Sequence, residues 1–252
     1  MAVQVISYQV SVHAFSDVGL VRQNNEDSWK VLKDEHFYVL ADGMGGHRAG
    51  EVASKTAVEH LCQLFYYHSN VLHVEISLAK KVLKEMIQEV NRLVYRLGRE
   101  NPSLRGMGTT LCCMFIHPAG LIYANVGDSR IYRLRKGALE QLTKDHSLLR
   151  ELIDLGQLSE QQAEDFLYKN IITKAIGTEP TVDPTISSTS LEIDDVLLIC
   201  SDGLSDQLTM KEIQDILIRF PEEKAAHRLI EKAKENGGAD NITLILVKVQ
   251  GK

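Results

Sequence analysis

Two apolar runs end in the same way, His36-Phe37-Tyr38-Val39-Leu40-Ala41-Asp42-Gly43 and Val196-Leu197-Leu198-Ile199-Cys200-Ser201-Asp202-Gly203. Each reads as a short buried strand that delivers a carboxylate and then a glycine. Asp128 follows the run 123–127, Asp240 precedes 241–247, and Asp27 stands just ahead of 28–32. A single Asp-Gly pair means little, because both residues favour turns. Turn aspartates, however, do not need apolar strands beside them. Acids at strand tips can meet along one sheet edge, where only cations make such a cluster stable, and hard divalent ions take all-oxygen sites. The pattern therefore points to a carboxylate-bound metal enzyme.

The elements that must position these acids follow from hydrophobic periodicity. Residues 3–15 alternate as a first strand, and 28–41 form two strands around Lys33-Asp34-Glu35. Helical spacing predicts helices over 49–67 and from about 75 to 97. Strands are expected over 109–116, 121–126 and 129–134, joined by tight turns. Segment 147–180 reads instead as an inserted flap, with helical pieces at 148–155 and 160–166. Strands return at about 185–191 and 195–201, then helices at 210–219 and 222–235, then a strand at 241–249. Strands and helices come in blocks, which predicts an α+β fold. Its expected form is a central antiparallel β-sandwich flanked on both faces by helix pairs, in α-β-β-α layers. With no linker or repeat, residues 1–252 are expected to form one domain, with the flap at about 145–180.

Bulk properties narrow the class. The 252 residues are 44% apolar and 25% charged, an ordinary globular composition. A net charge of −6 leaves no basic footprint, so nucleic acid is not expected as a partner. The first ten residues have neither a basic region nor a sustained apolar core, so they do not read as a signal peptide. The apolar runs are too short to span a bilayer. Cys62, Cys112, Cys113 and Cys200 lie in apolar segments without paired CxxC spacing, and read as buried reduced thiols. A cytoplasmic address and a monomer are expected.

The motifs, taken in order, resemble a known family. Arg22…Asn25-Glu26-Asp27, Ala41-Asp42-Gly43-Met44-Gly45-Gly46-His47, Gly106-Met107-Gly108-Thr109-Thr110, Val126-Gly127-Asp128-Ser129-Arg130, Ser201-Asp202-Gly203-Leu204 and Asp240-Asn241 look like the metal-dependent Ser/Thr protein phosphatases of type 2C, in the bacterial branch. The resemblance spans 12–249. It implies two Mn²⁺ or Mg²⁺ ions bridged by Asp42 and a water that attacks phosphorus in line. Asp202 and Asp240 would complete one ion, and the Gly43 carbonyl would help hold the other. Asp27 would act through a coordinated water, and Asp128 with Asp202 would hold a third, weaker ion. Glu26, Asp206 and Asn241 would support these ligands, and Arg22 would grip the phosphate. The implied partners are phosphorylated proteins, among them a bacterial-type Ser/Thr kinase and its substrates. A dedicated partner-switching phosphatase and a metal-free binding module are alternatives with the same fold, and the complete set of acids disfavours both.

The charges agree with that reading. A dianionic phosphate about 5 Å from four carboxylates would be repelled by tens of kcal/mol even at an effective dielectric near 20, as an upper bound. Two divalent ions cancel that charge. A planar guanidinium at Arg22 can then orient two phosphate oxygens. Bland readings suit other residues: His146 and Asp145 as caps of the helix near Leu148, Ser129 and Arg130 as fixing the turn after Asp128, and Ser201 as structural. Two departures from the family stand out. Many eukaryotic relatives have a histidine after the first Asp-Gly; here Met44 cannot donate a proton, which leaves His47 or water on a third ion for the leaving alcohol. The flap reads Asp165-Phe166-Leu167-Tyr168-Lys169-Asn170 where bacterial relatives often carry His-Pro, and is expected to alter substrate preference.

Overall fold

A computed structural model describes residues 8–45, 49–163, 166–168 and 170–251. Strands β1 (Gln9–Asp17), β2 (Asp27–Leu32) and β3 (Phe37–Met44) lead into helices α1 (Ala49–Tyr67), α2 (Ser69–Leu72) and α3 (Ile76–Glu100). Then come β4 (Gly108–Thr109), β5 (Leu111–His117), β6 (Gly120–Val126), β7 (Arg130–Arg135) and β8 (Ala138–Gln141). The flap carries α4 (Leu148–Asp154) and α5 (Glu160–Ala163). The chain continues through β9 (Thr185–Thr189), β10 (Val196–Cys200), α6 (Asp202–Ser205), α7 (Met210–Arg219), α8 (Glu222–Glu235) and β11 (Ile242–Gln250).

One sheet runs β1-β11-β10-β7-β8 and the other β2-β3-β5-β6-β9, with β4 on β3; neighbouring strands are antiparallel throughout. The layers are those the sequence predicts. Strand β3 is apolar without alternation because both its faces are covered. Tyr38 and Leu40 face the other sheet with Ile131, Leu197, Ile199, Ile245 and Val247. Phe37, Val39 and Ala41 instead pack under α1 and α3 with Phe65, Leu83 and Ile87. Strand β10 divides likewise, with Leu198 and Cys200 turned to Leu229 and Ala226 of α8. Each large side chain so buried contributes about 1.5–3 kcal/mol, which makes the sandwich a stiff base for whatever its edge carries. All four cysteines are buried and unpaired.

The structure corrects some local expectations. The first described strand is β1, from Gln9 to Asp17, and it extends two residues past the predicted end; residues 3–7 of that expectation lie outside the described residues. Strand β8 and the short helices α2 and α6 are not anticipated by periodicity, being four residues each. Ser147, not Asp145 or His146, caps α4, its side chain accepting from the Arg150 amide. Asp145 is held by Arg130, and His146 by Gly127 and Thr185. Among the described residues no helix is long and apolar enough to cross a membrane.

Candidate metal centre

Antiparallel pairing sends the end of β3, the start of β2, the end of β6, the end of β10 and the start of β11 to one edge of the sandwich. Asp27 and Asp42 are direct partners across β2 and β3. Across the sandwich the two sheets are tied at this edge by side chains. Ser201 Oγ donates to Asp27 Oδ2 at 2.9 Å. Asn241 Oδ1 accepts from the Glu26 amide at 2.8 Å, while its Nδ2 donates to the carbonyls of Val18 and Asn24. Thr110 Oγ1 accepts from the Asp42 amide at 2.9 Å and meets Ser129 Oγ at 2.7 Å. Asp42 is thus fixed to the turn that presents Asp128. Ser129 does anchor that turn, through Thr110, whereas Arg130 is committed to Asp145.

A cavity of about 350 Å³ opens here, lined by Arg22, Glu26, Asp42, Gly43, Met44, Gly45, Thr110, Asn170, Ile172, Asp202, Asp240 and Asn241. Arg22 Nη2 lies 2.7 Å from Asp240 Oδ2. The carboxyls of Asp42 and Asp202 adjoin within hydrogen-bonding reach. Burial raises Asp42 well above the usual carboxylate range, and the charges of Asp27 and Asp202 push it further. Asp27 is raised to about 7, first by burial and then by Asp202 and Asp240, against the hydrogen bonds of Thr243 and Ser201. Burial, with Asp202 and Asp145, takes Asp128 to about 7; burial, with Asp206 and Asp240, takes Asp202 to about 6. Glu26 is raised mainly by burial.

These residues suit hard cations. Asp27, Asp128 and Asp202 each keep one buried carboxyl oxygen, Oδ1, without a hydrogen-bond partner. Such an oxygen is costly when ionised unless a positive charge meets it. Among the described residues no three His, Cys, Asp or Glu side chains already close on one ion; the acids line a cavity and its margins. The donor set is all oxygen, as Mg²⁺ and Mn²⁺ favour.

The two Asp-Gly pairs have a reason other than turn preference. Neither Gly43 nor Gly203 adopts a left-handed backbone. A Cβ on Gly43 would stand 2.1 Å from the Gly50 carbonyl oxygen at the start of α1, and one on Gly203 would stand 2.0 Å from that of Asn241. The glycines let a second backbone segment pass directly over each acid. Gly203→Ala should therefore displace the Asp240-Asn241 turn. A loss of at least about 1–3 kcal/mol in thermal unfolding is expected, together with weaker Mn²⁺ binding by calorimetry.

Of the sequence-predicted residues, the structure gathers Arg22, Glu26, Asp42, Gly43, Asp202, Asp240 and Asn241 around the cavity. It places Asp27, Asp128 and Asp206 within electrostatic reach of Asp202. His47 lies outside the described residues, as do Asp165 and Lys169. Thr110 lay in a quoted motif without an assigned role. Ser201 is structural, its hydroxyl holding the Asp27 carboxyl. Asn170 and Ile172 bring the flap to the cavity, and Leu167 and Tyr168 beside them are exposed. The flap base is sewn to the body by the His146 amide donating to the Gly127 carbonyl and by the Thr109–Ile176 bridge.

Five aspartates gathered at one sandwich edge beside an arginine make an all-oxygen site suited to divalent cations. The Protein phosphatase 2C family profile matches residues 18–236, and the chain belongs to that family, in its bacterial branch of serine/threonine protein phosphatases. It is 40% identical over 238 residues to the serine/threonine phosphatase stp of Listeria welshimeri, a match covering 92% of this chain and 93% of that protein. The Mycobacterium tuberculosis serine/threonine phosphatase PstP/Ppp superposes with a TM-score of 0.87 at 36% identity, over 96% of this chain and 99% of that one. The catalytic domain of the serine/threonine protein phosphatase PstP in complex with 2 manganese ions gives a TM-score of 0.84 at 36% identity, over 97% and 100% of the chains.

Proposed function

We propose that the chain hydrolyses phosphoserine and phosphothreonine in proteins, opposing a Ser/Thr protein kinase, with two divalent ions held by Asp42, Asp202, Asp240 and the Gly43 carbonyl. The observation that carries this reading is the set of buried, mutually raised carboxyls with unpartnered oxygens on the margin of a cavity that also holds Arg22. Asp27 stands behind Asp42, and Asp128 beside Asp202 supports a third, weaker site. Mn²⁺ or Mg²⁺ bound there would offset the negative field and lower the pKa of water toward neutrality.

The protein's own groups do the rest. Arg22 orients the phosphate through its planar fork, which a lysine lacks. Thr110 holds the Asp42 backbone in place, and Ser201 orients the Asp27 carboxyl. Asn170 and Ile172 wall the cavity on the flap side. Met44 contributes shape and no proton. His146 stands apart from acid–base chemistry: burial and Lys174 take it down to about 4, so it stays neutral near pH 7.

Mn²⁺-dependent hydrolysis of p-nitrophenyl phosphate, abolished by EDTA, together with turnover of phosphothreonine peptides, is the expected result. A metal-loaded chain inert toward both would overturn the reading. Arg22→Lys should raise KM for a phosphopeptide by about 10-fold or more and leave kcat less affected, by the loss of a charge-assisted bidentate contact.

A further inference from the structure

A second recess, of about 640 Å³, lies beside the metal centre and takes no part in the chemistry above. Phe15, Leu20, His227 and Ile230 line it. The Phe15 and His227 rings stand 4.0 Å apart between centroids, tilted by 48°. On its rim Asp17 pairs with Lys234 at 2.8 Å, and Arg228 pairs with Glu231 and Glu235. Its floor is apolar, and the charged residues that complete the lining are paired with one another or with Arg228.

The recess neighbours the catalytic cavity without sharing a lining residue with it. Leu20 precedes Arg22 by two residues, so their Cα atoms are at most about 7 Å apart. The intervening loop is pinned to the Asp240 segment: the Leu20 amide donates to the Gly238 carbonyl at 2.7 Å, and a Cβ on Gly19 would sit 2.2 Å from the Asp240 carbonyl oxygen. Leu20 and Val21 are 62% and 68% exposed, an apolar sill between the two hollows.

We propose that this recess receives a large apolar side chain of the phosphoprotein substrate, two to four residues from the phosphorylated serine or threonine. The proposal rests on the phosphatase reading. With its phosphate at Arg22, an extended chain leaving the cavity over Val21 and Leu20 advances about 3.3 Å per residue, so a side chain at that separation arrives above Phe15 and Ile230. A charged side chain there would lose water, and the charges it could meet are already paired. An apolar one covers Leu20 and the two rings.

The test uses Mn²⁺-loaded full chain and phosphothreonine peptides in which each position within four residues of the phosphate is leucine or glycine in turn. At one or more positions leucine should raise kcat/KM by about 10-fold or more, the range one apolar pocket supplies. Leu20→Ser combined with His227→Ala, both at exposed positions, should reduce that ratio to near unity. p-Nitrophenyl phosphate hydrolysis and the thermal midpoint should remain unchanged. Equal turnover of all peptides by the wild type overturns the proposal, as does a leucine preference that survives both substitutions. A fall in p-nitrophenyl phosphate hydrolysis by the folded variant also overturns it, because it would place these residues at the phosphate. Failure of the underlying reading looks different: the wild-type chain would not cleave p-nitrophenyl phosphate at all.

Discussion

Asp42→Asn is expected to lower kcat by about 1000-fold or more, because an amide removes one negative charge from the site that must hold the cations, and metal-borne charge stabilisation is worth several kcal/mol. Asp202→Asn should do the same. Neither substitution should cost stability in metal-free protein. Asp42 is buried against Asp202 and feels Asp27 and Asp128, so the neutral isostere relieves repulsion, and the thermal midpoint in EDTA should hold or rise. The paired readout is calorimetric Mn²⁺ binding, which should weaken sharply. Near-normal turnover by either folded variant would refute the assignment of these carboxyls to metal.

The second large effect is a reversal in how stability depends on pH. In metal-free protein, Asp27 and Asp128 at about 7 and Asp202 at about 6 lie well above the ordinary aspartate value of 3.8. Between about pH 4 and 7 the folded chain therefore binds more protons than the unfolded chain, and stability falls as pH rises through that window. The sign follows from folded values that are raised: the contribution is complete below pH 4 and lost above pH 7. Three such groups amount to several kcal/mol, so in EDTA the thermal midpoint at pH 8 should lie roughly 10 °C below that at pH 5 once other titrations are subtracted. Saturating Mn²⁺ should cancel most of the deficit at pH 8 and add little at pH 5, where protons occupy the ligands; ligand at 100 times Kd contributes about 2.7 kcal/mol per site. A midpoint in EDTA that is flat or rising from pH 5 to 8 would show that burial and mutual repulsion do not raise these acids as described.

Much of this architecture was legible in the sequence. The long helices announce themselves through apolar spacing, and doubly covered strands such as Phe37–Met44 through unbroken apolar runs. The shared edge follows from antiparallel order once the strands are known. Residues whose role is to hold others were harder to read. Ser201 and Thr110 are small hydroxyl residues common in any strand end; only three-dimensional proximity shows Ser201 on Asp27, 174 positions away, and Thr110 on the Asp42 amide. The glycines after Asp42 and Asp202 were visible, but turn preference suggested the wrong cause, since close approach of another backbone leaves no local signature. The cap of α4 was misplaced by one or two residues because Asp145, His146 and Ser147 all suit caps, and Arg130 claims the aspartate.

Strand β11 lies in the interior of its sheet, between β1 and β10, yet is the last strand in chain order. While the ribosome is still producing the preceding two hundred or so residues, β1 has no neighbour and Asn241 cannot link the sheets. Asp240 arrives with that closing strand. Long-range pairing of this kind slows folding, and it makes the Asp240-Asn241 turn at the cavity depend on a strand whose partner β1 lies more than two hundred residues earlier.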